Sequence, residues 1–291
     1  MQTKRMAAAE FIVSFREFFE ISAVLGVMLA YLHKSGNGRF ANSIWMGAAF
    51  AAAASIGAAF ALAAFSVEFE EYEALFEGIT LIIACAFVSW LIFWMFGQRN
   101  VAEGLREGMK QGLQSKGGAG NAAAKQDGRG AGIAMFAFVA VLREGIEIVL
   151  FFEGIRIVSG ALNAVGAIAG AAAAVLLSYA AYSHLVKLDL GKFFVITGSV
   201  LVLMAGGLLG QGVHELEEVG ILPATIAHVY DLNPPLNQDG TYPILHEKGL
   251  IGSMLKTVVG YDADPSLLQL VAQLGYYATA FYAYKKTAKG R

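Results

Sequence analysis

Long apolar stretches alternate along the chain with short polar gaps. A helix that crosses a bilayer needs about 20 mostly apolar residues. Seven stretches reach that length: 7–33, 40–66, 74–96, 133–159, 161–186, 193–214 and 266–284. The pattern predicts an all-α integral membrane protein with seven transmembrane helices in a single membrane domain. Gly166 with Gly170, and Gly206 with Gly210, have the spacing of close helix packing and carry no chemistry. Residues 97–132 include "KGGAGNAAAKQDGRGAG" and read as a polar, mobile cytoplasmic linker. Residues 215–265 hold all five prolines and read as an extracytoplasmic loop. Within that loop "GLIGSMLKTVVGY" has the makings of a short amphipathic helix at the interface. Lys4 and Arg5 precede an apolar stretch as in a secretion signal, but Glu10, Arg16 and Glu17 interrupt it and no small-residue cleavage site follows. It reads as a retained first membrane helix.

Composition agrees with the pattern. The 291 residues are 57% hydrophobic and 15% charged, with a mean hydropathy of +0.57, whereas a soluble domain carries about 25% charge. A net charge of −2 argues against a nucleic-acid partner, which needs a basic surface. Cys85 is the single cysteine, so no disulfide framework, thiolate zinc site or iron–sulfur cluster can form. Fourteen of the lysines and arginines fall on the 1–2, 3–4 and 5–6 connections and the C-terminal tail. By the positive-inside rule the N-terminus faces out and the C-terminus faces the cytoplasm, as for a multi-pass protein of the cell (inner) membrane.

One feature breaks the apolar pattern twice. "FREFFE" in the first helix and "LREGIE" in the fourth share the form Arg-Glu-x-x-Glu, 127 residues apart. The fourth helix starts three helices after the first, so the two run in opposite directions. This predicts two inverted three-helix halves, a common transporter construction: repeat A over about 7–96, repeat B over about 133–214, and the seventh helix as an addition. Glu17 lies about ten residues into helix 1, or about 15 Å at 1.5 Å per residue. Glu144 reaches a similar depth from the other side.

Positions i and i+3 share a helix face, so Glu17 points with Glu20 and Glu144 with Glu147. Arg16 and Arg143 each stand four residues before the second glutamate of their own motif. An ionised side chain at the bilayer centre costs ~2.5–3.5 kcal/mol on insertion scales. Six facing lipid would cost on the order of 15 kcal/mol, so they face inward. Four carboxylates and two arginines leave an excess of two negative charges. Oxygen ligands without cysteine suit a hard cation, with Glu17, Glu20, Glu144 and Glu147 as candidate metal ligands and Arg16 and Arg143 as their charge partners. A plain structural role, salt bridges locking two helices together, is the competing reading.

These residues resemble a known family. Paired Arg-Glu-x-x-Glu motifs in helices 1 and 4 of a seven-helix protein look like the high-affinity iron permeases, the oxidase-dependent iron transporters of fungi and bacteria. The stretch "GSMLKTVVGYDADPSLLQLVAQLGYY" looks like the bacterial members. The family pattern is Arg-Glu-Gly-Leu-Glu. Arg143 to Glu147 follow it closely, while the first copy departs with Phe18 and Phe19 at the intervening positions, which face away from the carboxylates. The resemblance implies iron import, ferric rather than ferrous, with the ion as substrate, no catalytic cofactor and no enzymatic step. It also implies an extracytoplasmic oxidase, peroxidase or iron-delivery protein as partner.

The expected outer side is acidic. Glu70, Glu71 and Glu73 follow helix 2, His214, Glu215, Glu217 and Glu218 follow helix 6, and Glu10, Glu77 and Glu153 lie near outer helix ends. A rim of one sign concentrates cations, which makes these a candidate approach path; a solvated acidic loop is the plain alternative. Other functions stay open: a permease for another cation such as lead or manganese, a metal sensor or scaffold, or a membrane di-metal oxidoreductase. The last wants helical Glu-x-x-His pairs, and none of the expected spans has one.

Overall fold

A computed structural model describes residues 7–68, 73–97, 107–111, 122–182, 190–224, 226–233, 235, 242–243, 246–247 and 249–289. Most of them are helical, with no strand among them. The long helices are α1 (Ala7–Lys34), α2 (Ala41–Glu68), α3 (Glu73–Gly97) and α4 (Ala122–Ser159). They are followed by α5 (Ala164–Tyr182), α6 (Leu190–Glu218), the short α7 (Leu250–Val259) and α8 (Leu267–Lys289). Four of them stop at a glycine with positive φ: Gly36 after α1, Gly160 after α4, Gly220 after α6 and Gly260 after α7. Such left-handed stops satisfy the last carbonyls at no steric cost.

Two expected boundaries move. α4 begins at Ala122 rather than 133, so the second part of the expected linker is helical: a run of Ala, Lys and Gln before Asp127 favours helix enough to tolerate its glycines. α6 continues to Glu218, so "HELEE" forms its last turns instead of opening a loop. Gln211 Nε2 donates to Glu215 at 2.8 Å one turn on, the kind of i,i+4 contact that extends a helix.

The principal pairings are α1 with α5, α2 with α4, and α3 with α6, with α4 also against α1 and α8 against α6. Glycine sets two of these distances. A side chain at Gly47 on α2 would collide with the carbonyl oxygen of Ala134 on α4, and one at Gly170 on α5 with that of Phe11 on α1. Away from these seams α2 and α5 expose large apolar side chains, among them Phe50, Phe60, Ile168 and Leu176. Residues Gly38–Ala64, Ala164–Ala181 and Val195–Glu218 are long and apolar enough to cross a membrane, and Ala74–Trp90 is a shorter apolar helix.

The short α7 is amphipathic, as its sequence predicts, but its last turn is pinned into the bundle. Gly260 lies so near Gly207 that a side chain on Gly207 would stand 2.7 Å from the Gly260 Cα. Gln273 of α8 donates to the carbonyls of Val259 at 2.9 Å and Gly260 at 3.0 Å. Tyr277 adds hydrogen bonds to Val259 O at 2.8 Å and Leu203 O at 2.9 Å. Gly207 lies eleven residues before the end of α6, about 16 Å along its axis.

Candidate functional site

Two apolar clusters fill the bundle. At the Glu10 end, Val13, Phe151, Ile155 and Leu208 pack with α3 residues such as Leu81 and Val88. At the Lys34 end, Leu25, Met28 and Leu32 pack with Phe40, Ile44 and Ile133. Between them α1 and α4 cross and bring the two motifs together. Arg16, Glu17, Glu20, Glu144 and Glu147 are all at most 5% exposed.

The arginines bind across the helix pair as well as within their own motifs. Arg16 pairs with Glu17, with Glu20 at 2.7 Å and with Glu147 of the other motif at 3.2 Å. Arg143 pairs with Glu144, with Glu20 at 3.8 Å and with Glu147 at 3.9 Å. Sequence spacing pointed to Glu20 and Glu147 as each arginine's own partner. The cross-pairing to Glu147 and Glu20 depends on the helix crossing, which spacing does not encode.

Glu17, Glu20 and Glu144 each turn one oxygen to a point where the three atoms lie within 4.8 Å of one another. Glu147 stands outside that trio and spends its oxygens on the two arginines. Glu17 Oε2 and Glu144 Oε2 are buried with no hydrogen-bond partner. Buried carboxylate oxygens are normally satisfied, so oxygens left over beside a third carboxylate have the chemistry of a hard-cation site. Phe19 of the first motif is buried at 2% and Phe18 is exposed. In the second motif Gly145 takes the place of Phe18, where a side chain would strike Ser55 of α2. The α2–α4 seam therefore demands glycine in one copy while the other tolerates phenylalanine.

The iron permease FTR1 family matches residues 7–287 of the chain. The chain belongs to the iron permease FTR1 family. An uncharacterized protein of Archaeoglobus fulgidus is 34% identical over 275 residues, 92% of this chain and 91% of that protein. The ferrous iron permease EfeU of Escherichia coli O157:H7 is 28% identical over 276 residues, 94% of each chain. A putative inactive ferrous iron permease EfeU of Escherichia coli K12 is 27% identical over the same share. No solved structure matches. Membership in a permease family, together with the apolar helices, makes this a membrane protein of a transporter family rather than an enzyme family.

The acidic residues expected along the approach path have several settings among the described residues. Glu10 is fully buried, and its Oε1 accepts the Asn163 N–H at 2.8 Å ahead of α5. Glu153 is 8% exposed and is clasped by Arg156 at 2.6 and 3.0 Å. Glu77 is half-buried on α3 beside the Gly78 contact with Leu216. Glu215 takes the hydrogen bond from Gln211, and Glu217 accepts one from Ser266. His214 is half-buried and Glu218 exposed at the end of α6. Glu70 and Glu71 lie outside the described residues, and Glu73 is described only in its backbone. One network that sequence reasoning missed surrounds Asp262, ahead of α8. Burial pushes its carboxyl up, but a hydrogen bond shared with Glu247 and those from the Asp264 N–H and Gln269, with Lys256 nearby, hold it below the usual carboxylate range.

Proposed function

We propose that the protein is an iron permease in which the ion crosses through the paired Arg-Glu-x-x-Glu motifs near the middle of the membrane. The reading is carried by one observation: three buried carboxylates from two helices turn oxygens to a common point, in a chain of an iron permease family. Glu17, Glu20 and Glu144 replace water around the ion. Glu147 holds Arg16 and Arg143, which offset half of the cluster's negative charge before iron arrives and give up carboxylate oxygens when it binds. Iron is substrate here, not a resident cofactor. Oxygen ligands accept both of its common oxidation states. The relatives' name, ferrous iron permease, puts the ferrous ion first in the test and ferric iron from an extracytoplasmic oxidase, peroxidase or delivery protein second.

The architecture proposed with it is seven spans, α1 to α6 and α8, in two inverted halves, N-terminus out and C-terminus in, in the cell (inner) membrane. The pairing pattern supports the halves. Exchanging α1 with α4, α2 with α5 and α3 with α6 turns the α1–α5 pairing into α4–α2 and leaves α3–α6 and α1–α4 unchanged. The glycine seams follow the same exchange, since Gly47 against Ala134 and Gly170 against Phe11 are related by one offset of 123 residues.

Uptake of radioactive iron into sealed vesicles tests the site. Glu17→Ala and Glu144→Ala, expressed and inserted at normal levels, are expected to abolish it. Undiminished uptake in both would leave the motifs as helix-locking salt bridges only.

A further inference from the structure

The two motifs have the same form but not the same surroundings. Arg16, on the Glu10 side of its glutamates, is 2% exposed, whereas Arg143, on the Lys34 side of its own, is 29% exposed. The residues beyond them follow suit. Toward the Glu10 end, the face of α1 that carries Glu20 presents Ala9 at 2% and Val13 at 0%, met by Phe151 at 0% and Leu208 at 6%. Val258 of the inward-pinned α7 packs onto this same cluster.

Toward the Lys34 end that face opens. A cavity of about 450 Å³ runs along Val27, Ala30, Tyr31, Lys34 and Ser35. Glu20, Val27, Tyr31 and Lys34 fall on one stripe of the helix at spacings of seven, four and three residues. The aromatic stripe of α1 faces elsewhere: Phe11 stacks on Phe15 at 5.9 Å, and Phe11 and Phe18 are exposed roughly half a turn away from Glu20. The cavity therefore lies on the carboxylate side of α1 and not on its aromatic side. At about 30 Å³ per water it has room for roughly fifteen waters, enough for a hydrated cation. Tyr31 offers a hydroxyl, the Ser35 hydroxyl is held by Leu32 O and Asn37, and Lys34 is exposed, its long stem letting the ammonium reach water.

Building on the permease reading, we infer that Val27, Ala30, Tyr31, Lys34 and Ser35 line the route by which the ion leaves the carboxylate cluster, in a conformation whose opposite side is sealed by Val13, Phe151, Leu208 and the α7 turn. The inverted halves give the complementary state its form: there Arg143 is enclosed and Arg16 is reached by water. An ion held between two such states crosses without a continuous pore.

The single cysteine makes this measurable. Cys85→Ala removes a thiol that is 4% exposed and gives a background in which one cysteine at a time is introduced. Val27→Cys and Tyr31→Cys report the open side, and Val13→Cys and Leu208→Cys the sealed side. Sealed vesicles of each orientation are treated, without iron, with a membrane-impermeant methanethiosulfonate. The expected result is modification of Val27→Cys and Tyr31→Cys from the face bearing the C-terminus. Their rates should exceed those at Val13→Cys and Leu208→Cys by about tenfold or more, since buried thiols react only through rare openings. Equal rates on the two sides, or faster reaction at Val13→Cys, would overturn the inference, as would silence at both open-side positions. Iron uptake in the same vesicles separates the two readings: uptake with the wrong labelling pattern sinks the route and leaves the permease. The expected pattern without uptake in the Cys85→Ala parent or the unaltered protein sinks the permease and leaves a water-filled cleft.

Discussion

Two charged networks lie in this protein, and they are built on opposite terms. In the turn ahead of α8, all four oxygens of Asp262 and Glu247 have donors. Asp262 accepts from the Asp264 N–H at 2.9 Å and from Gln269 at 2.8 Å. Glu247 accepts from Lys256 at 3.0 Å and the Ala263 N–H at 3.2 Å. In the α1–α4 cluster Glu17 and Glu144 each keep one oxygen without a donor. A fully satisfied network rigidifies the chain, while a partly satisfied one stays costly until something completes it. The first holds a loop in place; the second has binding capacity left over.

Disrupting each network in turn sharpens the contrast. Glu17→Ala or Glu144→Ala should lower iron uptake by about 100-fold or more, because an ion loses a direct ligand where lost outer contacts alone cost 10–100-fold. Glu247→Gln should leave uptake within about threefold, since its carboxylate only braces a loop; parallel radioactive-iron assays decide. Next in size is Arg16→Ala, which removes the fully enclosed arginine that pairs with Glu17, Glu20 and Glu147 and should cost about 3–5 kcal/mol of stability. Arg143→Ala should cost about 1–2 kcal/mol, because that guanidinium is already 29% exposed. Thermal unfolding in detergent ranks the pair, and a reversed order would contradict the difference in burial.

Gly260→Ala forces a side chain into a left-handed turn at φ 67° and against Gly207. It should cost about 1–2 kcal/mol from conformation alone, read by the same melt. Smallest is Asp262→Asn, worth about 1 kcal/mol of hydrogen bonding. Its folded carboxyl sits below its unfolded value, so the stability it adds is complete above about pH 4 and is lost as pH falls through the lower folded value. The melting temperatures of Asp262→Asn and the unaltered protein should therefore differ at neutral pH and converge in acid.

Much of this was legible in the sequence because charge inside an apolar helix has few explanations. Two copies of one motif, their i,i+3 spacing and their similar depths were enough to bring Glu17, Glu20, Glu144 and Glu147 to one place. What stayed hidden depends on partners remote in sequence. Nothing near Glu10 announces that the Asn163 N–H will donate to it, and nothing near Arg16 that Glu147 of the other motif will come within 3.2 Å. The α4 start at Ala122 was obscured by glycines that a long helix tolerates. The pinning of α7 rests on Gly207 and Gly260 having no side chains, a property that becomes information only once the two are known to touch.

That contact has a consequence for how the molecule is made. α7 follows α6 in the chain yet can rest against Gly207 only when α8, through Gln273 and Tyr277, closes behind it. Until α8 has been synthesised, the 250–260 segment lacks the hydrogen bonds of Gln273 and Tyr277, so its full seating follows that of α8. A nascent chain ending at residue 266 should leave this segment open to protease, while the finished protein protects it.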